Sequence, residues 1–116
     1  MRTLVIILVC LLATPVQAQA DLSVAYLEAL CEAPKTSGKY AFCLGYLTGV
    51  ADTLAQKTPG QSPAICMPSK ATQEDVVTVF QTWAEDLGTM APHVHMGEGA
   101  NQALTAAVPC PTPEKD

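Results

Sequence analysis

Two histidines and a glutamate lie close together near the end of this chain and could in principle bind a metal ion. His93 and His95 are two residues apart, and Glu98 follows three residues later. Three donors in a glycine-flanked stretch do not match the usual spacing of structural or catalytic zinc sites, so we expect no metal. The stretch from Gly88 to Gly99 is instead predicted to be an exposed loop that contacts a partner through adaptable side chains: Met90, His93, His95, Met96 and Glu98.

Four cysteines follow the first 20 residues, and their chemistry is that of disulfides. Cys31, Cys43, Cys66 and Cys110 are widely spaced, and no C-x-x-C pair occurs. Zinc sites are usually built from closer pairs, whereas an even cysteine count in a short exported chain indicates disulfides. Four cysteines allow three connectivities, and the spacing alone leaves all three open.

Catalytic signatures are missing from the sequence. The serines and cysteines have no triad partners at a motif spacing, and no G-x-G-x-x-G, P-loop, G-x-S-x-G or H-E-x-x-H occurs. Asp52 has no neighbouring acid or base in the sequence with which it could share proton transfer. We therefore expect a protein that is not an enzyme and that has neither catalytic residues nor a cofactor.

Residues 1–20 are predicted to be a secretory signal peptide. Arg2 supplies the positive start, Leu4 to Leu12 form a short apolar run, and Ala18-Gln19-Ala20 is a small-x-small cleavage site. The apolar run is shorter than the roughly 20 residues that span a membrane, so no membrane association is expected after cleavage. The remaining residues, 21–116, are predicted to form one domain with five lysines against eleven acidic residues. This charge disfavours nucleic acid and favours a basic protein partner.

Helical periodicity dominates the rest of the chain, and no segment shows sustained strand alternation. Apolar residues recur every three or four positions in four segments, which predicts helices over residues 21–32, 39–56, 72–87 and 100–108. Thr72 and Asp75 form a weak capping box at the start of the third, and Gly88 is its natural end. The predicted fold is an all-α, small four-helix domain stapled by two disulfides.

Two glycines interrupt the second predicted helix, in the stretch CLGYLTGVAD. Gly45 and Gly49 lie four residues apart and share a stripe with Asp52. A glycine inside a helix costs roughly 0.5–1 kcal/mol relative to alanine, so a pair suggests that something approaches this face closely. We interpret the three residues as a packing groove, either between helices of one chain or between two copies of it. Phe42 and Tyr46 are expected to widen the buried face of the same helix.

The order of these features resembles the Rap/Tai family of type VI secretion amidase immunity proteins. The shared pattern is a C-x-G-Y-x-x-G-x-x-D core at Cys43 to Asp52, a C-x-P step at Cys66 to Pro68, and a terminal A-L-x-x-x-x-P-C ending at Cys110. The resemblance runs from about Leu27 to Cys110. It implies a helical, disulfide-bonded periplasmic protein that binds a cell-wall amidase effector and blocks its active site. It also implies a homodimer and a blocking loop at residues 88–99.

Within this family pattern we favour pairing Cys31 with Cys43 and Cys66 with Cys110. The first bond would close the turn between the first two helices, and the second would tie the long connection after the second helix to the C-terminus. An alternative function, from a different class, is a periplasmic stress or chaperone-like helical protein. Such a protein would protect many clients, whereas an immunity protein depends on one partner.

Overall fold

Residues 21–111 are described by the structure, a computed structural model, and most of them lie in helices. The four α-helices are α1 (Val24–Cys31), α2 (Gly38–Ala55), α3 (Gln73–Leu87) and α4 (Met96–Ala107), and a 3-10 helix (Gly88–His93) joins α3 to α4. Three isolated β-bridges are the only β-structure in the described part of the chain. The predicted all-α, four-helix architecture is confirmed. Residues 1–20, where the signal peptide is predicted, lie outside the described residues.

Short polar side chains fix where the first three helices begin. Ser23 and Ser37 each accept a hydrogen bond at 3.2 Å from a backbone N–H of the first turn of α1 and α2. At the start of α3, the Asp75 N–H donates to the Thr72 hydroxyl, while the Asp75 carboxylate accepts from the Thr72 N–H at 2.8 Å. These bonds satisfy amides that have no partner inside a helix, and they confirm the predicted capping box. Gly88 ends α3 with a φ of 53°.

Two disulfides cross-link the domain, with the predicted pairing. Cys31 at the end of α1 is bonded to Cys43 in α2, with an S–S distance of 2.05 Å. Cys66 is bonded to Cys110, which ties the connection between α2 and α3 to the segment after α4. Next to this bond the Cys66 N–H donates to the Val108 carbonyl at 2.9 Å. The long connection is therefore held at its middle by both covalent and backbone bonds.

One apolar core lies between the four helices. Its fully buried large side chains come from every helix and from the long connection: Val24, Leu27, Cys43, Leu47, Ile65, Phe80 and Leu104. The prediction that Phe42 widens the buried face of α2 is wrong, because this side chain is 49% exposed. Among residues 21–111, no helix combines the length and the apolar composition that crossing a membrane requires.

The start of α1 is paired through its backbone with the start of α4. The Val24 N–H donates to the Val94 carbonyl at 2.8 Å, and the Met96 N–H donates to the Leu22 carbonyl at 2.7 Å. These bonds flank the antiparallel bridge between Ser23 and His95. The first and last helices of the domain are thereby fixed to each other at one end of the bundle.

Gly99 lets α4 lie directly against α1 and α3. A Cβ atom at this position would clash with Cγ2 of Val24 and would stand 3.1 Å from Cζ3 of Trp83. The neighbouring residues Ala100 and Ala103 are also fully buried, at 0% and 1% exposed. Small side chains on this face of α4 therefore set how closely the last helix packs on the others.

Glu28 on α1 has a carboxylate whose charged form is unfavourable in the folded state. Partial burial raises the pKa of its carboxyl, and the negative charges of Glu32 and Glu85 raise it further. Its Oε2 atom is buried and finds no hydrogen-bond partner among residues 21–111. The folded state thus favours the protonated form of Glu28, and the charged form present at neutral pH costs stability.

Replacing Glu28 with glutamine should raise the free energy of unfolding at pH 7 by about 0.5 kcal/mol, because it removes a like-charge contact. A raised carboxyl pKa means that the folded state binds the proton more tightly, so the penalty develops as the pH rises through the unfolded-state pKa and is complete above the folded-state pKa. The gain should vanish at about pH 3, where Glu28 is protonated in both states. Urea unfolding at both pH values checks this, and an equal gain at both would contradict it.

Candidate partner-binding surface

An open apolar groove runs between α2 and α4. It has a volume of about 420 Å³, and only uncharged residues line it: Gly45, Tyr46, Gly49, Val50, Thr53, Leu54, Gly97 and Asn101. Val50 and Leu54 continue the apolar stripe of α2 beyond the core and are partly buried. The groove therefore arises because the apolar face of α2 is wider than the area that the neighbouring helices cover.

The two glycines of α2 form an open part of this groove. A Cβ atom built on Gly45 or Gly49 meets nothing within 4 Å, and both residues are exposed. The interpretation of a close contact between helices of the same chain is therefore wrong for this pair. Asp52 lines a different cleft, together with Thr48 and the residues that begin α3. The packing of this chain therefore does not require glycine at either position. Of the two interpretations drawn from the sequence, a contact with another chain remains to explain the pair.

Two aromatic rings extend the groove along α2. Phe42 and Tyr46 are stacked, with ring centroids 6.0 Å apart and an interplanar angle of 13°. The Tyr46 hydroxyl lies over the first turn of α4, 3.1 Å from where a Cβ on Gly97 would stand. Burial raises the pKa of Tyr46, so its phenol stays protonated and able to donate a hydrogen bond at neutral pH. The sequence predicted that both rings widen the buried face of α2. Tyr46 does pack partly buried against the core, whereas Phe42 is exposed, because an i, i+4 aromatic pair has the same spacing whether it is buried or exposed.

The segment from Gly88 to Gly99 is more ordered than predicted. The 3-10 helix occupies its first half, and α4 already begins at Met96 rather than at Ala100. The prediction of an exposed loop is therefore wrong for Met96, which is 6% exposed and belongs to the core. The flanking glycines indicated a loop, but the backbone pairing with α1 and the close packing at Gly99 stabilise helix here.

His95 has a structural task in this segment. It is the N-cap of α4, and its Nδ1 atom accepts a hydrogen bond from the Gly97 N–H at 3.1 Å. This bond uses the lone pair of Nδ1 and requires the tautomer that carries its proton on Nε2. The cap supports a first turn that contains two glycines, Gly97 and Gly99, and which would otherwise be a poor helix start.

The other predicted contact residues are exposed on the 3-10 helix and on the first turn of α4. Met90 is 54% exposed on the 3-10 helix, His93 is exposed at its end, and Glu98 is exposed on the first turn of α4. The Glu98 carboxylate accepts a hydrogen bond from the Gln102 side chain at 3.0 Å. We call His93, His95, Glu98 and Met90 the rim. Of the rim, His95 and Glu98 flank Gly97, which lines the groove, whereas the 3-10 helix that carries Met90 and His93 packs against α1 and α3 and not against α2.

Within residues 21–111, no group of three or more histidine, cysteine or acidic side chains is placed to hold a metal ion. The groove offers apolar walls, a phenol and a bare stretch of helix backbone. These groups can bury the surface of another protein and supply a few directional hydrogen bonds.

Comparison with known proteins gives one finding about the family. The family model described as Rap1a immunity proteins matches residues 23–110, which includes all four helices and both disulfides. No curated protein and no solved structure matches the chain.

Proposed function

Since this chain belongs to the Rap1a immunity protein family, we propose that it is a periplasmic immunity protein that binds a cell-wall amidase effector of type VI secretion and blocks its active site. The observation that carries the proposal is the family match over residues 23–110, which spans nearly the whole described domain. The coarser part, an immunity protein that binds a secreted effector, follows from the family. The amidase and the secretion route rest on the resemblance of the Cys43 to Asp52 core and of the two flanking motifs.

Residence in the periplasm is consistent with the covalent structure. Disulfides form and persist in oxidising compartments and are rare in the cytosol. Two of them here tie together a domain of fewer than 100 residues. Together with the family, they indicate an exported protein. We propose that residues 1–20 are the signal peptide and that the mature domain begins at Asp21.

The groove and the rim are the surface proposed to contact the effector. The groove would provide the apolar centre that a stable interface requires, and His95 and Glu98 of the rim would provide polar groups beside it. The net charge of the chain, −5, favours a basic face on the effector and would speed association. A homodimer through the same groove is part of the proposal, and it would compete with the effector for this surface.

A pull-down tests the function directly. Oxidised, tagged residues 21–116 are used as bait against periplasmic and secreted proteins of the source organism and its close relatives. We expect one cell-wall amidase at a stoichiometric ratio, with its activity lost in the complex. A broad set of clients would contradict the proposal and would favour the stress-protein alternative.

Replacing both Gly45 and Gly49 with alanine should raise the stability of the fold while lowering the affinity for the partner. The added methyl groups meet no atom within 4 Å, so the helix should gain about 1–2 kcal/mol of stability. The same methyl groups protrude into the groove, so affinity for the captured partner should fall about tenfold, equivalent to about 1.4 kcal/mol. Urea unfolding and calorimetric titration measure the two effects.

Gly38→Ala is the matched control for this pair. Gly38 lies at the start of α2, outside the groove, and its Cβ would also meet no atom within 4 Å. It should change neither the affinity nor the oligomeric state. If the double variant binds as tightly as the wild type while Met90→Ala binds less tightly, the contact is made by the rim alone and the groove assignment is wrong.

A further inference from the structure

The other flank of α4 carries a second groove, between α3 and α4, with a different chemical character. Its volume is about 360 Å³. The aliphatic walls are formed by Val79, Ala103, Ala106 and Ala107. Trp83 adds an indole ring, Thr78 and Thr82 add two hydroxyls, and Asp86 adds one carboxylate. No basic residue lines it. Neither the family match nor the proposed effector surface between α2 and α4 assigns a role to this groove.

Asp86 gives the groove a localised negative charge. It is the sole charged lining residue, it is exposed, and it makes no ion pair among residues 21–111. The ion pair that this part of the chain does contain joins Lys35 and Glu74. A carboxylate left without a cation beside an apolar wall favours a ligand that is positive at one end and aliphatic along its length.

Trp83 is fixed beside this carboxylate. It lies three residues before Asp86 on α3, which places both side chains on neighbouring positions of one helix face. Its six-membered ring packs against Gly99, because Cζ3 and Cη2 would stand 3.1 and 3.4 Å from a Cβ there. The close approach of α4 thus holds the indole, which is half-buried, at the edge of the groove. An indole face attracts cations more strongly than other aromatic rings do.

We propose that this groove seats an arginine side chain from a basic protein partner. The three methylene groups would lie on the wall formed by Ala103, Ala106 and Ala107, and the guanidinium would reach both Trp83 and Asp86. Arginine fits better than lysine because its planar, weakly hydrated guanidinium stacks on aromatic rings and pairs with a carboxylate through two N–H groups. The net negative charge of the chain also favours a basic partner.

The pocket can be tested without any effector, since Trp83 is the one tryptophan of the sequence and its fluorescence reports the site directly. The probe is Nα-acetyl-arginine amide, titrated to about 50 mM at constant ionic strength, a range that covers the millimolar affinity expected of one side chain. The neutral isostere Nα-acetyl-citrulline amide should bind at least about fivefold more weakly, because it lacks the cation.

Substitutions on α3 complete the test. Asp86→Asn should weaken binding of the arginine derivative about fivefold or more by removing the carboxylate partner. Glu85→Gln is the matched control, because it removes one charge from the adjacent position of the same helix without lining the groove. It should leave the affinity within about twofold, as expected of a screened surface charge. A fluorescence response that is not saturable, an equal response to the citrulline derivative, or an unchanged affinity in Asp86→Asn would each overturn the proposal.

Discussion

Replacing Gly99 with alanine should lower the free energy of unfolding by about 3 kcal/mol, in the upper part of the range for overpacked cores. The new methyl group would clash with Val24 and would lie 3.1 Å from Trp83, and neither neighbour is the end of a flexible chain. The backbone of α4 would have to move away from α1, which would also disturb the hydrogen bonds that join their first turns. Urea unfolding followed by circular dichroism measures the loss.

Gly97→Ala is the comparison for this variant. A Cβ on Gly97 would meet the Tyr46 hydroxyl, which is the far end of a side chain and can shift. We expect a change of less than about 1 kcal/mol there, since the gain in helix propensity offsets a small displacement. If the two glycine variants were equally stable, the close contact between α4 and α1 would not determine the stability of this domain.

Replacing Cys66 and Cys110 with alanine should cost about 4 kcal/mol, by the chain-entropy relation for a loop of this length. The bond spans 44 residues, from the long connection to the segment after α4. Without it, the burial of Ile65 and backbone bonds such as that from Cys66 to Val108 would be left to hold the connection against the bundle. A loss of this size is a large share of the total stability of a small domain. Urea unfolding of the oxidised proteins at 25 °C gives the value.

Single substitution of Cys66 provides the control for this double variant. It leaves Cys110 as a free thiol and removes the same covalent link, so both proteins should unfold at the same urea concentration within error. A loss below about 1 kcal/mol in the double variant would mean that the non-covalent contacts alone hold the long connection.

Local signals were sufficient to predict most of the architecture. Helix periodicity identified α2 and α3 to within a residue or two, and the Thr72 and Asp75 pair marked the start of α3 correctly. The disulfide pairing was also predicted, with help from the family pattern. These features depend on residues that are close in sequence or on motifs of fixed order, which explains why they could be read without the structure.

The glycines show where this kind of reasoning fails. Gly45 and Gly49 have the spacing of a close helix contact but face open space, while Gly97 and Gly99 looked like loop residues but belong to a helix. Glycine permits close approach without requiring it, so its meaning depends on which element happens to lie opposite. For Gly99 that element is α1, whose contacting residue Val24 is more than 70 residues away in sequence, beyond the reach of any local pattern.

The same distance matters for how the chain reaches its fold. The hydrogen bonds between Leu22 to Val24 and Val94 to Met96 connect the first described residues with the last helix. Loop closure over such a separation carries an entropic cost that must be met before the contact stabilises anything, and long-range contacts slow folding. A chain that emerges with its N-terminus first can form the α1–α2 turn early, but it can complete the bundle only after α4 has followed. We therefore expect folding to finish late, once nearly the entire domain is available.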